Sequence, residues 1–195
     1  MKKLFFGLTI LIFSSCSVEN DSLNDSKTTR IEEIKNEKNI AVQRVMYNLL
    51  SPDEKYYLWS QKIDNLTNDK SLNAEQINLL EEVKSKLNRN YFDDSYSDDK
   101  KEIFKVVYLK EFLKKAKDIF DDNFIYNSFY TINSSRILFV DDDSPINSCA
   151  CYKGTTFWSC GVLSPYTCKT PPDPCSEKTK GCGLWLQDKC DGTCQ

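Results

Sequence analysis

Apolar residues between Arg30 and about Phe120 recur at three- and four-residue steps, the period of helices that bury one face. Ile31 and Ile34, then Val42, Val45, Met46 and Leu49, form the first such segment. Ser51-Pro52-Asp53-Glu54 then supplies an N-cap, a proline at the first helical position and an acid at the third. The helix it opens carries Tyr56, Trp59, Ile63 and Leu66 on one face. Asn73-Ala74-Glu75-Gln76 repeats the cap-and-box, with Leu72 and Ile77 placed as a hydrophobic staple. Ile77, Leu80, Val83 or Lys84, and Leu87 are its expected buried face. The interval Asn88 to Asp99 is polar and predicts a loop, with Tyr91 and Phe92 embedded. Ile103 to Phe120 is the strongest helical segment, with Phe104, Val107, Tyr108, Phe112, Ala116 and Ile119 in step. Phe124 to Ile132 could extend the bundle, and Ile137-Leu138-Phe139-Val140 reads as a short strand or a plug packed on it. Amphipathic helices of this number and length make one bundle with a shared core, and the aromatics on their faces read as core.

The pattern stops at Asp141-Asp142-Asp143-Ser144-Pro145, an acidic hinge without the alternation of a calcium loop. Beyond it, eight cysteines fall at positions 149, 151, 160, 168, 175, 182, 190 and 194. Five of the six glycines and five of the six prolines also lie after residue 144. A segment this short and turn-rich cannot bury enough apolar surface to fold without staples. The expected fold is therefore an all-α helical bundle over residues 30–146, followed by a small, mostly irregular, disulfide-rich domain over 147–195.

The start of the chain bears on whether those cysteines form disulfides or hold a metal. Met1-Lys2-Lys3 precedes a mostly apolar run, Leu4 to Phe13, which is too short for a bilayer span of about 20 residues. This reads as a secretion signal over residues 1–15. Phe13-Ser14-Ser15-Cys16 resembles a bacterial lipobox, in which Cys16 would be acylated and become the mature N-terminus. Residues 16–29, mostly Ser, Asn, Asp and Thr, then read as a lipid-anchored flexible tether. The expectation is an exported, membrane-anchored lipoprotein of the bacterial cell envelope, at the outer membrane or cell surface, whose first partner is the membrane.

Export favours disulfides over zinc in the tail. The absence of histidine removes the commonest zinc ligand and the usual general base of Ser and Cys hydrolases. No nucleophile motif and no metal constellation stands out, so the chain reads as a non-enzyme with no cofactor and no metal. Cysteine arithmetic agrees with lipidation: nine is odd, and setting Cys16 aside leaves eight to form four bridges. Cys149 and Cys151 are too close to bond each other comfortably, so each is expected to reach a distant partner. The pairing stays open, because eight cysteines allow 105 arrangements. Loss of Lys2 and Lys3 with the signal leaves 24 basic against 29 acidic residues, which argues against a nucleic-acid partner.

Cys149-Ala150-Cys151, Phe157-Trp158-Ser159-Cys160, Cys168, Cys175, Gly181-Cys182-Gly183, Trp185 and Cys190-Asp191-Gly192 together resemble the fulvocin C-type bacteriocin pattern. The resemblance covers the last quarter of the chain. The helical body, with Leu50-Ser51-Pro52 and Trp59, is similar to the N-terminal part of fulvocin C-related lipoproteins. The closing pair, Cys190 and Cys194, is more widely spaced than the pattern expects. The resemblance implies a bacteriocin-like head, and the acidic, proline-containing junction between two compositionally different halves offers a cleavage region near Asp141 to Ile146, from which an antibacterial head would be released. Its five lysines against four acids disfavour simple cationic membrane disruption. Activity would then rest on aromatics, with Phe157, Trp158, Tyr166 and Trp185 as the candidate contact surface for a target cell surface or receptor. The same rings would equally serve as the small core between the bridges. The alternative function is a non-toxic surface binding or adhesion module that keeps its head.

Overall fold

The computed structural model describes residues 19–96, 99–133, 151–153, 168–170 and 180–194. Helices α1 (Glu19–Asn36), α2 (Ile40–Asn48), α3 (Pro52–Thr67), α4 (Ala74–Lys86), α5 (Asp99–Ile103), α6 (Leu109–Ile119) and α7 (Asp122–Phe129) form the body. Short strands β1 (Cys168–Lys169), β2 (Lys180–Cys182), β3 (Asp188–Lys189) and β4 (Thr193–Cys194) follow. The described chain is thus mostly helical with a small strand-containing C-terminal region.

Helix α3 lies at the centre, touching α1, α4, α7 and the 3-10 turn Arg89–Phe92. Its start follows from the sequence. Ser51 Oγ accepts from Glu54 N, Glu54 Oε2 accepts from Ser51 N at 2.8 Å, and Pro52 opens the first turn. Asn73 and Gln76 make the same reciprocal cap for α4. Leu58, Trp59 and Ile63 of α3 meet Leu79, Leu80 and Val83 of α4 in the core. Val83, not Lys84, takes the inward position, and Leu79 joins it. The expected loop after α4 contains the 3-10 turn, which buries Tyr91 and Phe92.

Two stretches depart from their periodicity. The first apolar segment is two helices, because Asn39 caps α2 by accepting from Ala41 N and Val42 N. Freed from the phase of α1, α2 turns Gln43 and Tyr47 inward and leaves Val42, Val45 and Leu49 exposed at 44%, 60% and 70%. Polar atoms can be buried there because they are matched: Gln43 Nε2 donates to Ile34 O at 2.9 Å and Asn133 Oδ1 at 2.8 Å.

The second departure is a π turn, Phe104–Tyr108, between α5 and α6. The extra residue in that turn resets the helical phase. Phe104 and Tyr108 therefore pack inward on one side of it, and Leu109, Phe112 and Ala116 on the other. Val107, expected in step with them, is exposed instead.

Residues 19–29, expected as flexible tether, belong to α1. Helix propagation from the turn anchored by buried Ile31 and Ile34 needs no apolar face of its own. The segment Ile137-Leu138-Phe139-Val140 and the acidic hinge lie outside the described residues, as does the signal region.

Candidate functional site

The C-terminal region is organised around two antiparallel strand pairings. Strands β2 and β3 run antiparallel, with Lys180 opposite Lys189 and Cys182 opposite Asp188 across a bulge. Strands β1 and β4 pair Cys168 with Cys194 and Lys169 with Thr193, while Cys151 bridges to Gly192. The disulfides match this layout. Cys182–Cys190 closes the β2–β3 loop across 8 residues, and Cys151–Cys168 ties two distant segments across 17. Cys151 thus reaches a far partner. Cys194 is also disulfide-bonded. A Cβ on Gly192 would stand 2.4 Å from Cys168 Sγ, so only glycine lets the 151–168 bridge lie against this strand.

Between β2 and β3 the chain makes a compact turn that points at the helical body. Gly183 sits at φ 70°, and Trp185 and Leu186 follow at φ 52° and 56°. Left-handed backbone at two large side chains is costly, of order 1–3 kcal/mol each, and persists only where surroundings fix it. Here the surroundings are a socket of body aromatics. The Trp185 ring meets Tyr91 edge-on at 5.5 Å and stacks beside Phe104 at 6.3 Å and 15°, with Phe92 at 6.5 Å. Trp185 is fully buried, and Leu184 and Leu186 flank it inside the same core.

Tyr47 ties this turn to the body. Its hydroxyl donates to Trp185 O at 2.9 Å and accepts from Trp59 Nε1 at 3.0 Å and Gln187 Nε2 at 2.8 Å. Every hydrogen-bonding capacity of the phenol is used. Burial pushes the Tyr47 hydroxyl well above its ordinary pKa, despite those two incoming bonds, so it stays a donor. The Lys55 ammonium lies 5.2 Å from the Tyr47 ring, and its own pKa is lowered by burial.

The rim of the socket is polar. Asn48 Nδ2 donates to Lys180 O, the Lys180 ammonium pairs with Asp94, and Lys105 lies 3.5 Å from Asp188. Burial raises the Asp188 pKa, with the Lys105 charge opposing that rise. Asp94, in the interval expected as a polar loop, is thus an anchor for β2.

Placed on this geometry, the expected residues divide. Trp185, a candidate contact residue, is a core residue: it is 0% exposed, because the body offers an aromatic socket that solvent cannot match. Cys151, Cys168, Cys182 and Cys190 are bridged as above, and Cys194 is bonded. Cys16, Cys149, Cys160, Cys175, Phe157, Trp158 and Tyr166 lie outside the described residues. Periodicity gave no sign of Tyr47 as the organising residue.

Among the described residues no three metal-ligating side chains cluster, and no helix is long and apolar enough to cross a membrane. No family model, no curated protein and no solved structure matches this chain.

Proposed function

We propose that this chain is a non-enzymatic, lipid-anchored binding protein of the cell envelope. Acylated Cys16 tethers it, and its disulfide-stapled, bacteriocin-related head stays docked on the helical body. The observation that carries this reading is the burial of Trp185 in the socket of Tyr91, Phe92 and Phe104, with its carbonyl held by Tyr47. A head that shed this contact would expose a tryptophan and two leucines, and would leave an aromatic hole in the body. A permanently docked head fits a surface-attached binder better than a diffusible toxin.

The antibacterial reading keeps one support, the fulvocin C-like cysteine string with its acidic, proline-containing junction. It asks for two events, a cut near Asp141 to Ile146 and withdrawal of Trp185 from its socket. Because no cysteine lies between Cys16 and Cys149, head and body share no bridge across that cut. Their association there rests on packing, hydrogen bonds and the Lys180–Asp94 and Lys105–Asp188 ion pairs.

Intact mass and thiol count on protein from its native membrane separate the two readings. A single acylated species, eight protons lighter than the reduced chain, is the expected result. A stapled fragment of the head in the growth medium, with matching loss from the membrane, would overturn retention. That fragment would then be assayed on related and unrelated bacteria.

A further inference from the structure

Helix α2 has three different neighbours around its circumference. At about 100° per residue, Gln43 and Tyr47 face the bundle core, while Arg44 and Asn48 face β2, where Gly181 lies against the Arg44 side chain. The remaining face is the exposed stripe Val42, Val45 and Leu49. Half-buried Met46 borders this stripe and also lines an open groove of about 650 Å³ against α1. The opposite wall of that groove is Thr28, Thr29, Glu32, Glu33, Asn36 and Glu37.

Apolar and acidic surfaces therefore meet at Met46. The stripe has the i, i+3, i+7 spacing by which helices present anchors to one another. No basic side chain lines the groove, and of its three glutamates only Glu32 has a described ion pair, with Lys35 at 2.7 Å. An occupant must offer apolar side chains along one edge and positive charge along the next. Anionic headgroups would meet the acidic wall of α1, and a second copy would bring its own acids against it.

We propose that the α1–α2 groove and the Val42, Val45, Leu49 stripe are a docking site for a cationic amphipathic helix of a partner protein. The site gives the retained-binder reading a partner chemistry and rests on that reading for its role. Its affinity is salt-dependent, since the acidic wall is exposed and screened.

The test uses the oxidised mature chain and a leucine–lysine amphipathic peptide of about 18 residues, or five turns, titrated by calorimetry at low and physiological salt. Saturable one-to-one binding that weakens with salt is expected. Val45→Asp, and separately the pair Glu33→Lys with Glu37→Lys, should each weaken it by about tenfold or more, while Glu111→Lys on α6 leaves it unchanged. Absence of binding, or binding indifferent to both groove variants, would overturn the site. So would self-association through the stripe, or capture of anionic vesicles with the peptide ignored. A chain that keeps its head yet ignores the peptide sinks this site alone; a chain that sheds its head yet binds the peptide sinks only retention.

Discussion

The hydroxyl of Tyr47 and the carbonyl oxygen of Trp185 lie 2.9 Å apart across 138 residues of chain. Through this bond a helix near the start of the body and the turn near the end of the chain share one core. Trp59 and Gln187 donate to the same hydroxyl, so three elements depend on a single oxygen.

Removing that oxygen orphans the groups around it. Tyr47→Phe leaves the Trp59 indole N–H buried with nothing to bond, and leaves the Trp185 carbonyl only the long contact from Gln187 Nε2 at 3.4 Å. The expected loss of stability is about 2–4 kcal/mol, read by urea unfolding. A loss near zero would mean that the C-terminal turn does not depend on this hydroxyl.

The rotation of α2 makes a paired prediction. Val45→Asp, at a position 60% exposed, should change stability by no more than about 0.5 kcal/mol. Gln43→Ala, although it removes a polar residue, should cost about 1–3 kcal/mol, because Ile34 O and Asn133 Oδ1 lose their buried donor. Reversed costs would restore the register expected from periodicity.

Gly183 admits no side chain. A Cβ there would stand 2.0 Å from Asp188 Oδ2, on backbone already at φ +70°. Gly183→Ala should displace Asp188 from Lys105 and cost about 2–3 kcal/mol. The Trp185 indole resonance, followed by NMR, should shift toward its solvent-exposed position. An unmoved resonance would argue against coupling between this turn and the socket.

Lys62 gives a pH dependence. Its ammonium donates to Asn127 O and Thr131 O at 2.5 Å each, at the end of α7, and lies 5.3 Å from the Trp59 ring. Burial, with Lys35 adding repulsion, pulls its pKa down to about 7. An unfolded lysine titrates near about 10.4, so between these values the unfolded chain holds a proton that the native chain lacks. Stability contributed by Lys62 therefore rises as pH goes from about 7 toward 10. Above that, Tyr47, Tyr108 and Tyr130, all raised by burial, reverse the trend. Relative to the parent, Lys62→Met should be most stable below pH 7 and lose that advantage by about pH 10. A difference between the two proteins that stays flat with pH would refute this.

Much of the body was legible from residue pattern because its signals are local. Ser51 with Glu54 and Asn73 with Gln76 place their helix starts within four residues, and Trp59, Leu80 and Phe112 fall where a period of 3.6 puts them. Val42, Val45 and Val107 misled for the opposite reason. Whether an apolar face is buried depends on what lies beyond the helix, and a cap at Asn39 or a π turn after Ile103 changes the phase without changing composition. Trp185 was ambiguous from sequence alone, since a tryptophan among cysteines serves a small core or a binding face equally well. Its partners, Tyr47, Tyr91 and Phe104, are at least 81 residues away along the chain, beyond the reach of any window.

The socket for Trp185 also fixes an order of assembly. Synthesis delivers Tyr47, Trp59, Tyr91, Phe92 and Phe104 well before residue 185, so the helical body first forms around a missing piece. That piece arrives on a loop closed by Cys182–Cys190, and both sulfurs end up buried with it. Oxidation and completion of the body's core are then one maturation event. A chain that fails to close this loop displays its fault as an open aromatic cleft, the kind of surface that chaperones and proteases act on.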